Sequence, residues 1–353
     1  MKTILVTGGA GFIGSNFIHY LLGNYPEYKV INLDLLTYAG NLENLKDLAG
    51  HDNYRFIQGD ISSSATLEAI FKANPIDYVV NFAAETHVDR SIREPEIFVR
   101  TNVLGTANLL NVARKYWVNR DDSYGGNKFI QISTDEVYGS LSAKGFFTED
   151  TPYNPRSPYS ASKAGADLLA QSFYATYGFP VVITRCGNNY GPYQFPEKLI
   201  PLMINNALQK KPLPVYGDGL QIRDWLYVED HCAAITLVLQ KGKAGTVYNI
   251  GGRNEQTNLQ VVETIIHYLQ KHVDPLITVE LIKHVADRPG HDRRYGIDPT
   301  KIQTELGWSA QTPFHIGIEK TIRWYLEHQE WLKNVTSGEY QSYYQKIYGR
   351  LEQ

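Results

Sequence analysis

Thr3-Ile-Leu-Val-Thr-Gly-Gly-Ala-Gly-Phe-Ile-Gly-Ser15 sets a short β-branched run against a glycine loop, and an apolar-periodic segment follows. The pattern predicts a strand over 3–7, a tight turn through Gly8, Gly11 and Gly14, and a helix over 15–22. Glycines at those positions let the backbone approach a ligand closely, so a pyrophosphate can sit on the free N–H groups of the helix N-terminus. A tight strand-to-helix turn without ligand is the plainer alternative. Asp34, which ends the next strand-like run about 20 residues after Gly14, argues against it. A carboxylate there accepts both ribose hydroxyls of an adenosine and repels a 2′-phosphate, so NAD is favoured over NADP. Asp60 and Ile61, after a third run, are placed to meet the adenine.

Apolar runs recur at 29–34, 55–59, 78–82, 128–133 and 181–185, separated by longer helical patterns. Such alternation predicts βαβ units and an α/β fold: a doubly wound parallel sheet of the Rossmann type, joined to a smaller substrate-binding lobe. The pattern changes after Arg185. Residues 187–196, rich in Asn, Gly, Pro and Tyr, read as a loop, and 197–210 as an amphipathic helix. Short strands are expected at 215–218, 224–228 and 247–250, with helices from 229, over 259–272 and over 313–330. The expected division assigns 1–185 with 224–250 to the NAD-binding domain and 186–223 with 251–353 to the second lobe.

The chain has 353 residues, 43% apolar and 20% charged, enough for one or two domains with a full core. A formal net charge of −3 offers no basic field for nucleic acid, so none is expected as a partner. Cys186 and Cys232 form no CxxC, which points away from a disulfide framework or zinc site and fits a reducing cytoplasm. No signal-like or membrane-spanning apolar run is present, so no membrane association is expected. His87 lacks a partner at ligand spacing, and no metal is expected.

Two further clusters carry chemistry. Tyr159 and Lys163 stand four apart after Pro158, so a helix starting there places both on one face. An ammonium beside a phenol favours phenolate, and Tyr159 is thereby expected to act as a general base with a lowered pKa. Thr134-Asp135-Glu136 follows the 128–133 run. Elsewhere an Asp-Glu pair is commonly a solvated helix cap. At the carboxyl end of a central strand, where doubly wound sheets bind ligands, it supplies an acid and a base to neighbouring substrate atoms.

The glycine loop combined with Tyr-x-x-x-Lys resembles the extended short-chain dehydrogenase/reductase family, in its NAD-dependent epimerase/dehydratase branch. Further likeness lies in ISTDEVYG (132–139), AETHVDRSI (84–92), NNYGPYQFPEKLIP (188–201), QIRDWLYVED (221–230) and DRPGHD (287–292). The resemblance implies a soluble NAD-dependent hydro-lyase acting on dTDP-glucose in 6-deoxysugar (rhamnose) precursor synthesis. C4 of the glucose is oxidised with Tyr159 as base, Glu136 takes the C5 proton, Asp135 protonates the departing C6 hydroxyl, and hydride returns to C6. Thr134 bonds the C4 oxygen. A UDP-sugar 4-epimerase needs no acidic pair; a UDP-glucose dehydratase differs only in base recognition; a non-catalytic NAD sensor needs none of the set.

The same resemblance implies the binding residues. For NAD they are Gly8, Gly11, Phe12, Ile13, Gly14, Asp34, Leu35, Thr37, Asp60, Ile61, Phe82, Ala83, Ala84, Thr101, Tyr159, Lys163 and Asn189. For the glucose they are Thr86, His87, Asp89 and Thr134. The nucleotide diphosphate is assigned to Asn188, Lys198, Leu199, Arg223, Asn258 and Arg288, with Tyr348 near the phosphates and Pro214, Val215 and Tyr216 around the thymine; Asp287 and His291 complete the substrate side. Position 86 is Thr where the family often has Ser, and both carry a hydroxyl. Family members dimerise through helices of the cofactor domain, which makes the apolar-periodic segment 97–115 a candidate homodimer surface.

Overall fold

The structure is a computed structural model that describes residues 1–287 and 289–336. Twelve strands are present among the described residues: β1 Lys2–Thr7, β2 Tyr28–Asp34, β3 Tyr54–Gln58, β4 Tyr78–Asn81, β5 Lys128–Thr134, β6 Val181–Cys186, β7 Asn188–Tyr190, β8 Leu213–Tyr216, β9 Ile222–Tyr227, β10 Val247–Ile250, β11 Glu255–Thr257 and β12 Ile282–Val285. Seven form one parallel sheet in the order β3-β2-β1-β4-β5-β6-β10. The order reverses between β1 and β4, and in such sheets the crevice at that reversal is where ligands bind. The expected α/β doubly wound class is therefore borne out.

Both faces of this sheet are covered, which is why its strands read as unbroken apolar runs rather than alternations. Ile4 and Val6 of β1 pack with Phe17, Leu21, Ile235 and Val238 from the Phe12–Asn24 and Val228–Lys241 helices. Leu5 faces the other way, onto Leu67, Leu109 and Ala170 from the Ser64–Ala73, Thr106–Trp117 and Pro158–Tyr177 helices. A separate core gathers Met203, Ile204, Val262, Ile265, Ile318 and Ile322 from the Leu199–Leu208, Asn258–His272 and Phe314–Glu327 helices. Two small sheets, β11-β9-β7 and β12-β8, belong to this side of the molecule.

Element boundaries differ from expectation where tertiary contacts intervene. The first helix starts at Phe12, inside the glycine loop, because Gly11 itself serves as the N-cap. The helix expected from 197 begins at Leu199. A turn through Pro196, closed by Lys198 N–H donating to the Phe195 carbonyl at 3.1 Å, occupies the preceding residues. The segment 97–115 is not one regular helix: Val99–Gly105 winds as a wider π-type stretch between Pro95–Phe98 and Thr106–Trp117. A Cβ on Gly105 would lie 2.7 Å from the Ile61 side chain, so this stretch passes too close to the turn after β3 for anything larger.

Candidate active site

The loop after β1 is shaped by glycine at two positions. Gly8 has φ +70°, and a Cβ on it would lie 2.6 Å from the Ala83 backbone nitrogen. On Gly14, a Cβ would collide with the Gly8 carbonyl oxygen. The result is a close-lying backbone beneath the Phe12–Asn24 helix, whose N-terminus no side chain caps. Its first-turn N–H groups face a cavity of about 300 Å³, within the range of small-molecule sites. Every residue expected to hold NAD, from Gly8 through Asn189, lines this one cavity.

Asp34 is buried at the far wall. Its Oδ2 accepts the Ala10 N–H at 2.9 Å and its Oδ1 the Leu36 N–H at 2.8 Å. Each oxygen keeps a second lone pair, so the carboxylate can still accept two ribose hydroxyls. Burial pushes its carboxyl up, against those two backbone bonds. Asp60 accepts the Ser62 N–H at 2.7 Å and stands at the end of β3. An uncapped helix terminus, a glycine cradle and a buried acid at the end of β2 together fit a dinucleotide.

The acidic pair lies at the end of β5, in a single tight turn over Asp135–Tyr138. Thr134 forms the turn by accepting the Glu136 N–H at 3.3 Å, and Val137 and Tyr138 anchor it by burying beside Phe147, Ala164 and Ile297. Asp135 is 1% exposed, with Oδ1 accepting from Thr134 Oγ1 at 3.3 Å and Oδ2 unpartnered among the described residues. Burial, then the neighbouring Glu136, hold its carboxyl well above the usual range. Asp135 is thereby shifted toward its protonated form, the direction a general acid requires.

The Pro158–Tyr177 helix begins at a Ser157 capping box with Pro158 in its first turn, and it delivers Tyr159 and Lys163 to the same cavity. Lys163 Nζ donates to the Ile132 carbonyl at 2.6 Å. Here the structure departs from the sequence expectation. Burial, then the Glu136 charge, push the Tyr159 phenol well above its ordinary value, and burial pushes Lys163 down. Burial thus favours the protonated phenol in this geometry, and a positive charge bound beside it would favour phenolate.

A second cavity opens next to the first. Thr86, His87, Asp89, Asn188, Lys198, Leu199, Pro214, Val215, Tyr216, Arg223, Asn258 and His291, all expected on the substrate side, line it. Thr134 lines the first cavity instead. Asp287 lies outside both linings, and its Oδ1 accepts from the His291 ring Nδ1 at 2.5 Å. Arg288 and Tyr348 lie outside the described residues. Arg223 donates to the Ile222 and Asp292 carbonyls at 2.8 and 3.0 Å and stacks over Tyr295. Glu136 lines both cavities, as do Thr86, Asn188, Gln194, Glu197 and Lys198.

Sequence reasoning passed over Glu197, Gln194 and Cys186. The Glu197 carboxylate is buried between the cavities, with Tyr38 donating to it at 3.0 Å and His87 Nε2 lying 3.9 Å away, and burial pushes its carboxyl up to about 7. Its signal is a charged residue directly after the aromatic, proline-containing run at 190–196. The Cys186 thiol, pushed up to about 12 by burial, receives the Asn189 amide at 3.3 Å. Asn189 is oriented in turn by His231 Nδ1 at 2.8 Å. Burial drives the His231 imidazole down to about 3, which keeps it neutral.

A parallel sheet with a dinucleotide cradle, a Tyr-Lys helix and a second polar cavity defines a nucleotide-sugar-modifying enzyme class. The chain belongs to the GDP-mannose 4,6 dehydratase family, whose profile matches residues 5–321. It is 52% identical over 356 aligned positions to the dTDP-glucose 4,6-dehydratase of Salmonella typhimurium, covering 98% of each chain. Among solved structures, it resembles the Bacillus anthracis dTDP-glucose 4,6-dehydratase in complex with NAD, at 52% identity and TM-score 0.86 over 95% of this chain and 100% of that one. The Streptomyces venezuelae dTDP-glucose 4,6-dehydratase, also solved with NAD, gives TM-score 0.87 at 46% identity over 95% and 100%. The family expected from the sequence is thereby borne out.

Proposed function

We propose that this chain is an NAD-dependent hydro-lyase that converts dTDP-glucose to dTDP-4-keto-6-deoxyglucose and water. One observation carries the reading: Glu136 stands in the wall between the two cavities, beside a buried Asp135 whose carboxyl burial pushes up, and within the field of Tyr159. NAD supplies a hydride acceptor for C4 and a hydride donor for C6. The glycine loop and Asp34 hold its pyrophosphate and ribose, and the second cavity holds the dTDP moiety with Arg223, Asn258, Lys198 and Tyr216.

Tyr159 takes the proton of the C4 hydroxyl, with Thr134 bonding the same oxygen and Lys163 fixed beneath. A carbonyl at C4 acidifies the C5 proton, which Glu136 removes. Asp135 gives its proton to the C6 hydroxyl, and water departs. Glu136 then returns a proton to C5. Burial raises the Asp135 carboxyl and so favours it as the acid of the pair, while Glu136, facing both cavities, is placed to act as the base.

The dehydratases of known name at about half identity support dTDP over UDP as the nucleotide. Absence of any helix long and apolar enough to cross a membrane, among the described residues, accords with cytoplasmic action. We assign 1–185 with 224–250 to the cofactor lobe and the other described residues to the nucleotide-sugar lobe, with β9 spanning the boundary at 223–224. We also assign a homodimer surface to the apolar side chains exposed at Ile97, Val99 and Leu104. The test is incubation with dTDP-glucose and, separately, UDP-glucose, reading the alkaline absorbance of a 4-keto-6-deoxy sugar. Product from dTDP-glucose in preference supports the reading; epimerised sugar without dehydration overturns it.

A further inference from the structure

Behind the reacting groups, and outside both cavities, lies a fully buried ion pair. Asp167 is one helical turn beyond Lys163 on the Pro158–Tyr177 helix and is 0% exposed; Arg185, on β6, is 1% exposed. Arg185 Nε donates to Asp167 Oδ2 at 3.0 Å. Its Nη1 donates to the Tyr138 hydroxyl at 2.8 Å and its Nη2 to the Tyr153 hydroxyl. Both rings also lie under the guanidinium, with centroids 4.7 and 4.5 Å away. Tyr138 passes the chain on, donating to Asn249 Oδ1 at 2.8 Å.

Tyr138 is the last residue of the turn that carries Asp135 and Glu136, so the network bonds that turn to the helix that carries Tyr159 and Lys163. Stability alone is a poor reason for it: two buried charges are costly to desolvate, and well-packed apolar residues of similar volume commonly serve as well or better. What a charge pair adds is fixed geometry, because a planar guanidinium with several engaged donors admits one arrangement. The groups facing Lys163 are Asp167 on its own helix, the Cys186 thiol on β6 and the Ile132 carbonyl on β5. Asp167 thus also supplies the ammonium's only carboxylate neighbour among those groups.

We infer that Asp167 and Arg185 are positioning residues that hold the acidic turn in register with the Tyr-Lys helix, so that proton removal at the C4 oxygen and proton transfer at C5 and C6 act on one substrate pose. This rests on the proposed dehydration. The clean variant is Tyr138→Phe, which deletes one hydroxyl and leaves the ion pair in place. Turnover falls by about 10- to 100-fold, as a small misplacement of reacting groups does. KM for dTDP-glucose stays within about twofold, and reduced-nicotinamide absorbance builds up during turnover because elimination slows more than oxidation.

Asp167→Asn acts on the other arm. Without its carboxylate neighbour Lys163 loses its proton more readily, and the alkaline limb of the kcat profile moves down by about 1 to 3 pH units. Asp167→Glu restores the limb. Turnover by Tyr138→Phe at the wild-type rate, or a uniform fall in both half-reactions, overturns the inference, and so does an Asp167→Asn profile that keeps its limb. Should Asp167→Asn fail to fold, Tyr138→Phe decides alone. Wild-type enzyme run alongside separates the two claims: wild-type inactivity on dTDP-glucose sinks the proposed function, whereas wild-type activity with unaltered Tyr138→Phe kinetics sinks only the positioning role.

Discussion

The Tyr38 hydroxyl donates to Glu197 Oε1 at 3.0 Å, so the loop that follows Asp34 and the loop that precedes the Leu199–Leu208 helix share one partly buried hydrogen bond. Arg90 lies 3.7 Å over the Tyr38 ring, and Phe195 meets it edge-on. This contact ties the cofactor side of the molecule to the wall shared by both cavities.

Glu197 makes stability depend on pH in a calculable direction. Its carboxyl, ordinarily near 4.5, is pushed up to about 7 by burial, so between those values the folded chain holds a proton that the unfolded chain has lost. Stability from this group is fully present below the lower value, declines as pH rises, and levels off above the upper one. The loss is of the order of 3 kcal/mol. Glu197→Gln removes it: measured by calorimetry, the variant's melting temperature relative to wild type is higher at about pH 8 than at about pH 5. An offset identical at both refutes the buried acid.

Glu136→Gln keeps the size of the C5 base and removes its charge. Turnover falls by about 10² to 10⁴, the usual contribution of a positioned base. C4 oxidation survives, so mixing with dTDP-glucose raises a reduced-nicotinamide absorbance that persists. Full turnover without that signal removes Glu136 from the role.

Asp34→Ala deletes the buried acid at the end of β2. Two hydrogen bonds to a ribose are lost, each worth about 1 kcal/mol or more, so NAD binds about 10- to 100-fold more weakly by calorimetric titration. Repulsion of a 2′-phosphate disappears as well, and NADP affinity rises toward that of NAD. Unchanged discrimination between the two contradicts the ribose assignment.

Leu104→Asp places a charge on the exposed apolar stretch around Ile97, Val99 and Leu104, where the side chains are 52, 43 and 54% exposed in the order Leu104, Ile97, Val99. A charge at the centre of an apolar interface leaves an unpaired buried group. Sedimentation of the wild type gives a dimer and of the variant a monomer; equal masses contradict the surface.

What the sequence made legible was local. The strand, glycine loop and Asp34 lie within one βαβ unit, where spacing alone sets geometry, and Tyr159 with Lys163 needs only one helical turn. Glu197 was hidden because it reads as the first charged residue of an amphipathic helix, whereas a turn through Pro196 buries it beneath Tyr38. Strands β7, β11 and β12 span three or four residues, too few for a period-2 pattern to emerge. The protonation of Tyr159 was misjudged for a related reason: charge partners can be counted along a helix, but the depth of burial that outweighs them is a property of the assembled fold.

The claim that the acidic pair turns a borrowed hydride into loss of water is tested most directly in deuterated water. Wild-type enzyme given dTDP-glucose should yield a 4-keto-6-deoxy product with deuterium at C5, placed there by Glu136, seen by NMR and mass spectrometry. A sugar that retains its C6 hydroxyl, carries no deuterium at C5 and differs only in configuration at C4 would contradict it.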